Sequence, residues 1–207
     1  MLLRSAVLAL LLGVTALPRI PKGAPGPAKG VFLVAREEIE GGPFWHSVVL
    51  IVSHGTEGTL GVIVNRATDT TLKDVLPDLE REESSPHPIH FGGPVTLDGL
   101  VFLFRADAPP EGATPVLGDV YFEGRLETLE RLLAEKSAVK LFLGHAGWSP
   151  GQLQSELVRG SWDLVEADTF TLFGKDPATL WPELSGRSRT LAKASGFLTS
   201  AHSALSH

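Results

Sequence analysis

Apolar positions fall in runs rather than in one period along this chain. Val31–Arg36 (VFLVAR), Ser47–Ser53 (SVVLIVS) and Thr59–Asn65 (TLGVIVN) are almost continuously apolar and rich in β-branched residues. That pattern predicts strands buried on both faces. Five residues, His54-Gly55-Thr56-Glu57-Gly58, separate the last two runs, short enough for a hairpin. Further strands are predicted at Ile89–Phe91, Leu100–Arg105, Val116–Phe122 and Val139–Leu143, with a final one within Trp162–Phe173. Helical spacing puts Leu126, Leu129, Leu132 and Leu133 on one face of a helix over Gly124–Lys136. A short helix is predicted over Thr71–Leu79, capped by Thr70 or Thr71 and limited by Pro77. Two more are expected, over Ser149–Val158 and from Asp176-Pro177 onward. Glu80–Pro88 is charged and proline-containing, so it reads as loop. Strands in hairpin order with inserted helices predict an α+β domain, mainly antiparallel, with a few peripheral helices.

The ends of the chain differ from this middle. Arg4 precedes an apolar run, Ser5–Ala16, that closes with the small residues Val14 and Ala16. This is the pattern of a secretory signal peptide, residues 1–16, cleaved before Leu17. A membrane-spanning helix needs about 20 apolar residues, and Pro18 and Arg19 end the run short of that, so no stable membrane anchor is expected. Other readings are an apolar helix packed on the domain, or an upstream extension. Residues 17–30 hold four prolines and three glycines, and read as a linker. The domain is expected over 31–185, and the Ser-, Ala- and Gly-rich residues 186–207 as a flexible tail. Cleavage implies a periplasmic or secreted protein; an intact start leaves it cytoplasmic.

Composition narrows function by exclusion. The 207 residues carry a net charge of −6, and losing Arg4 with the signal peptide makes it −7. An acidic chain is a poor match for phosphate backbones, which need clustered Lys and Arg. There is no cysteine, hence no disulfide, thiolate metal site or cysteine nucleophile.

Gly147-Trp148-Ser149-Pro150-Gly151 spells the G-x-S-x-G of a hydrolase elbow, with Asp163 or Asp168 and then His202 in the hydrolase order. The chemistry opposes it. In that elbow the amide after the nucleophile donates to the oxyanion, and Pro150 has no amide hydrogen. Ser149 as N-cap, Pro150 at the first helical position and Gln152 completing a capping box account for the same residues. No catalytic residue is therefore assigned. His46, His54, His90 and His145 lie at strand ends or beside glycines, and His54 and His145 could meet at one end of a sheet. Hydrogen-bonded histidines closing turns explain them more simply than ligation, and His87 in its proline-rich loop reads as solvated. No metal set or cofactor motif is present: Gly55, Gly58 and Gly61 lead into a strand, not a helix N-terminus. Gly92-Gly93-Pro94 reads as a tight turn, and the four tryptophans as core or edge packing.

Three separated blocks carry a resemblance. FWHSVVLIVSHGTEGTLGVIVN at 44–65, HFGGPV at 90–95 and GHAGWSPGQLQSEL at 144–157, followed by Gly160, Trp162 and Trp181, resemble the YqgE/AlgH family across roughly residues 31–182. The resemblance implies a compact α+β domain with several coiled β-sheets and no established enzymatic activity. The family's label as a transcriptional regulator comes from a genetic link to alginate synthesis in one branch, not from a DNA-binding motif. Shared positions are Phe44, Ser47, Val48, His54, Gly58, Gly61, Asn65, Gly92, Gly93, Pro94, Gly144, Trp148, Gly151, Gln152, Leu153 and Trp162. Most are glycines for turns or apolar core residues; His54, Asn65 and Gln152 are polar exceptions. Family members more often carry tyrosine where this chain has His145. A ligand site is expected around His54, Asn65, Gly92, Gly93, Pro94, His145, Trp148 and Gln152, engaging a protein or small ligand. The expected function is a non-catalytic binding or regulatory module. The alternatives are a transcriptional regulator and a serine hydrolase using Ser149.

Overall fold

The computed structural model describes residues 26–39, 41–79, 87–108 and 110–188. The signal-peptide segment 1–16, linker residues 17–25, most of the 80–88 loop, tail residues 189–207 and His202 lie outside the described residues.

Strand β1 (Val31–Ala35) pairs antiparallel with β2 (Val48–Gly55), and β2 with β3 (Gly58–Ile63). The last strand, β10 (Trp162–Glu166), pairs with the free side of β1. These form one sheet. The second holds β4 (Ala67–Thr71), β5 (Pro88–Phe91), β6 (Val95–Arg105), β7 (Thr114–Leu117) and β8 (Val120–Glu123). One long strand, β9 (Val139–Trp148), belongs to both. Its first half lies between β6, antiparallel, and β5, parallel. Its last three residues pair with Thr59–Gly61 of β3. The strand order β10-β1-β2-β3-β9-β6-β8-β7 follows, with β5 and β4 branching from β9.

The continuous apolar runs are explained by three layers of core. Along β1, Phe32 and Val34 face a central layer between the sheets, and Leu33 and Ala35 face an outer one. Leu103 and Phe142 reach the central layer from the second sheet, whereas Phe102, Phe104 and Leu141 turn outward. The outer layers are closed by helices. Leu153 of α3 (Gln152–Val158) covers the first sheet. Leu129, Leu132 and Leu133 of α2 (Leu126–Ala134), with Leu72 of α1 (Leu72–Val75), cover the second. Leu172 of α4 (Thr169–Gly174) and Leu180 and Leu184 of α5 (residues 177–188) complete the central layer. The fold is α+β, as expected from the sequence.

Several expected boundaries change. The loop between β2 and β3 is only Thr56-Glu57, so His54 stands on a strand. The 116–122 strand is a hairpin, β7–β8, because Gly118 adopts a φ of +52° and turns the chain. Strand β4 is polar (ATDTT) and lacks the expected apolar signal. The 162–173 segment is β10 and then α4, started by Asp168, which accepts from the Thr171 amide at 2.8 Å. The linker already joins the sheet at Gly30, whose amide donates to the Ile51 carbonyl at 2.9 Å. At the other end, residues 186–188 continue α5 rather than starting a tail.

Candidate functional site

Residues expected to form a site are mostly joints between elements. The Asn65 side chain accepts from the Val48 amide at 2.8 Å and donates to the His46 carbonyl at 2.9 Å. Both ends of the amide are thus engaged, and they fix where β2 begins. Gly92 links the sheets through its backbone: its carbonyl accepts from Ile63 and its amide donates to Leu143, each at 2.8 Å. Gly92 and Gly93 are buried against β9, and a Cβ on Gly93 would overlap the His145 carbonyl. Gly92-Gly93 is therefore a close backbone approach, which corrects its reading as a simple tight turn.

The Ser149 region corrects the capping box. The Gln152 amide donates to the Ser149 carbonyl at 3.0 Å, Pro150 and Gly151 lie between them, and Gly151 has φ +75° and ψ −11°. That is a type II turn with proline and glycine at their preferred positions. A helical residue cannot have that φ, so α3 starts at Gln152 with Gly151 as its N-cap. One half of the box survives, since Gln152 Oε1 accepts from the Ser149 amide at 3.0 Å.

Glu156 is the residue the sequence reading missed. Its Oε2 accepts from the indole nitrogens of both Trp148 and Trp162, each at 2.8 Å, and its Oε1 accepts from Gln152 Nε2 at 3.1 Å. The two rings meet edge to face at 6.0 Å, and Phe44 stacks on Trp148 at 5.8 Å. The available signal is the spacing of Gln152 and Glu156, i and i+4 on one helix face.

An open cleft of about 540 Å³ lies where the β2–β3 tip meets the Ser149–Gly151 turn. Its walls include Thr59, Leu60, Val95, Trp148 and Pro150, with Ser53 and Glu57 at the rim. His54 is exposed on the same hairpin, its Nδ1 2.7 Å from Thr59 Oγ1. Strand register aligns His54, Thr59 and Trp148, whereas His145 lies three residues along β9, opposite Val95. The two histidines are on different lines of the sheet, which corrects the expectation that they meet. Pro94 is exposed beside Val95. Of the eight expected site residues, Trp148 alone lines this cleft. A larger cleft of about 620 Å³ lies between β6 and the end of α2, but none of the expected residues lines it. Its Arg105 and Asp119 already pair with each other at 2.7 Å.

Two buried basic residues lie elsewhere. Lys140 is packed beneath α4 and donates to the Leu172 carbonyl at 3.3 Å; burial lowers its pKa to about 8. Burial, and then the Lys140 charge, lowers the His90 pKa to about 4. His90, expected as a turn-closing histidine, is a core residue with Nδ1 3.3 Å from the Leu141 carbonyl. Among the described residues, no cluster of His, Asp and Glu could hold a metal ion.

The hydrolase partners are engaged elsewhere. Asp163 accepts from Arg36 at 3.0 Å, and Asp168 accepts from the Thr171 hydroxyl at 2.6 Å.

Residues 32–190 match the profile of the AlgH-like family. A UPF0301 protein of Streptomyces coelicolor is 35% identical over 166 residues, 77% of this chain and 86% of that one. A UPF0301 protein of Methylococcus capsulatus is 34% identical over 172 residues, 80% and 93% of the two chains. Among solved structures, the AlgH protein of Pseudomonas aeruginosa superposes with a TM-score of 0.65 at 26% identity, covering 84% of this chain and 91% of its own. A Corynebacterium diphtheriae protein superposes with a TM-score of 0.66 at 25% identity, covering 80% and 90%.

Proposed function

The chain belongs to the YqgE/AlgH family, and from that premise we propose that it is a non-catalytic binding module, with the 540 Å³ cleft as its contact surface. The cleft carries the reading. Its walls join apolar groups (Leu60, Val95, Trp148, Pro150) to a few polar ones (Ser53, Thr59, Glu57), the mixture by which binding sites combine affinity with orientation. Gln152, a polar residue of the shared blocks, holds this wall in place: its side chain accepts from the Ser149 amide and donates to Glu156, which in turn accepts from Trp148. The occupant is a protein segment or small ligand that inserts an apolar group, with His54 at the edge. Export by cleavage before Leu17 belongs to the same reading; sequencing the N-terminus of the mature protein tests it.

The test is a thermal-shift screen of small molecules and peptides against the wild type and Val95→Glu. Val95 is 40% exposed, so the substitution is tolerated by the fold while placing a charge in the cleft. Hits that stabilise the wild type are expected to lose their shift in this variant. Hits that shift both proteins equally would place binding elsewhere and overturn the assignment. Two competing roles are checked in parallel. A gel-shift assay at low salt is expected to show no DNA retardation by a chain of net charge −6. A serine-reactive probe is expected to leave Ser149 unlabelled.

A further inference from the structure

A second surface, outside the cleft, has the parts of a ligand site. Trp45 is 47% exposed, an unusual position for so large an apolar ring in a chain with three full core layers. It is nonetheless held firmly. Its ring stacks on His46 at 4.2 Å and 28°, and His46 stacks in turn on Trp181 at 3.7 Å and 24°. Trp181 Nε1 donates to the Ala35 carbonyl at 2.7 Å, which ties the ladder to β1. One face of Trp45 is therefore covered, and the ring is fixed before any ligand arrives. Such preorganisation removes much of the ordering cost of binding.

Arg66 stands beside it. Its Nη2 donates to the Trp45 carbonyl at 2.6 Å, and its guanidinium carbon lies 5.9 Å from the centre of the Phe91 ring. Arg36, Arg105 and Arg125 each pair with a carboxylate. Arg66 has no such partner among the described residues, and burial alone lowers its pKa. A guanidinium carries five N–H donors in a planar fork suited to carboxylate and phosphate. One direction is taken by the Trp45 carbonyl, and that bond places the rest of the fork next to the ring's own backbone.

We propose that Trp45 and Arg66 form a binding site for small anions that carry a flat aromatic ring, the ring lying on Trp45 and the anionic group on the Arg66 fork. Neither element suffices alone: an isolated exposed ring is weakly selective, and an isolated surface cation is screened by salt. Ring and charge together select ligands that have both. The shared chemistry admits two sources, an aromatic carboxylate or a nucleoside monophosphate. Trp45, His46 and Arg66 do not line the 540 Å³ cleft, so this site and the proposed function stand or fall separately.

The experiment is titration calorimetry of the folded chain with 1-naphthoate and with adenosine 5′-monophosphate. Adenosine alone and inorganic phosphate alone supply the ring and the anion separately. Binding of at least one ring-bearing anion is expected, with the separate halves weaker by about tenfold or more. Trp45→Ala and Arg66→Gln are each expected to weaken it by a similar factor. Trp45 is exposed, so Trp45→Ala reports on the site even where Arg66→Gln disturbs folding, which near-ultraviolet circular dichroism detects. Binding of naphthoate alone identifies the carboxylate source, and of the monophosphate alone the phosphate source. The proposal is overturned if neither probe binds below about 10 mM, if either isolated half binds as well as the whole, or if Trp45→Ala binds like the wild type.

Discussion

At the scale of single residues, the side chains that depart most from ordinary behaviour are His90 and Lys140, two basic groups buried in the core. A buried histidine with a pKa near 4 is neutral in the fold, whereas the unfolded chain takes up a proton near 6.5. Between those values the unfolded state binds more protons, so stability is full above about 6.5 and falls as the pH drops through 4. Lys140 has the same sign in a different window. Its folded pKa of about 8 against 10.5 means that stability rises as the pH climbs from 8 to 10.5. Urea midpoints are therefore expected to fall below pH 6.5, level off to pH 8, and rise beyond it. Lys140→Met is expected to abolish the alkaline rise. At pH 7 it should also stabilise the protein by about 1–3 kcal/mol, since relief of a buried charge exceeds the loss of one hydrogen bond to the Leu172 carbonyl. A loss of stability in that variant would show that the bond matters more than the desolvation. Neither residue was legible as a buried base. Lys140 interrupts an apolar run that reads as an ordinary strand, and His90 sits beside a glycine pair that suggests a turn. Asn65 was singled out as a polar exception and expected in a ligand site, whereas its side chain is spent on the backbone before and at the start of β2. Its two bonds to the start of β2 span 17 and 19 residues, a distance that local pattern does not encode.

At the scale of elements, α3 is the instructive case. A seven-residue helix is too short to be stable on propensity and depends on its attachments. Leu153 supplies the apolar one and Glu156 the polar one, since a single carboxylate accepts from two indoles contributed by β9 and β10. Hydrogen bonds to a charged acceptor contribute about 1.5–3 kcal/mol each, and losing the shared acceptor leaves two indole donors unmet. Glu156→Ala is therefore expected to cost about 2–3 kcal/mol in urea unfolding and to redshift tryptophan emission as Trp148 and Trp162 loosen. Ser149→Ala, which removes a hydroxyl without a hydrogen bond among the described residues, is the comparison and should lie within about 0.5 kcal/mol of the wild type. A Glu156→Ala protein as stable as the wild type would remove Glu156 from the architecture. The sequence marked this helix but placed its N-cap and first helical residue two positions early. Ser-Pro-Gly-Gln suits a capping box and a type II turn equally well, and the left-handed Gly151 decides for the turn. Elsewhere boundaries moved for similar reasons: β4 has no apolar alternation, and the β7–β8 turn hides inside a run that is apolar on both sides.

For the whole molecule, the decisive feature is that one strand serves two sheets. β9 was legible only as far as Leu143, because Gly144-His145-Ala146-Gly147 lacks strand character. It continues because Gly92-Gly93 packs directly against it there, backbone on backbone, and because β3 captures its final residues. The two glycine segments lie more than 50 positions apart, so their fit is visible only once the chain is folded. The Gly92 bonds to Ile63 and Leu143 cross this same seam and join residues of the two outer core layers, three positions before the cleft wall at Val95. Gly93 has a φ of +148°, and a Cβ there would press on the His145 carbonyl and the Ala146 amide, atoms that cannot swing aside as a flexible side chain would. Gly93→Ala is expected to cost about 3 kcal/mol or more, the upper end of overpacking. Its signature should be spatial as well as energetic: hydrogen exchange should accelerate at the Ile63 and Gly92 amides together, on both sides of the seam. Acceleration confined to residues 92–95 would mean that the sheets hold together without this contact. Acceleration at Ile63 as well would mean that β9 and the glycine pair are what make two sheets into one core.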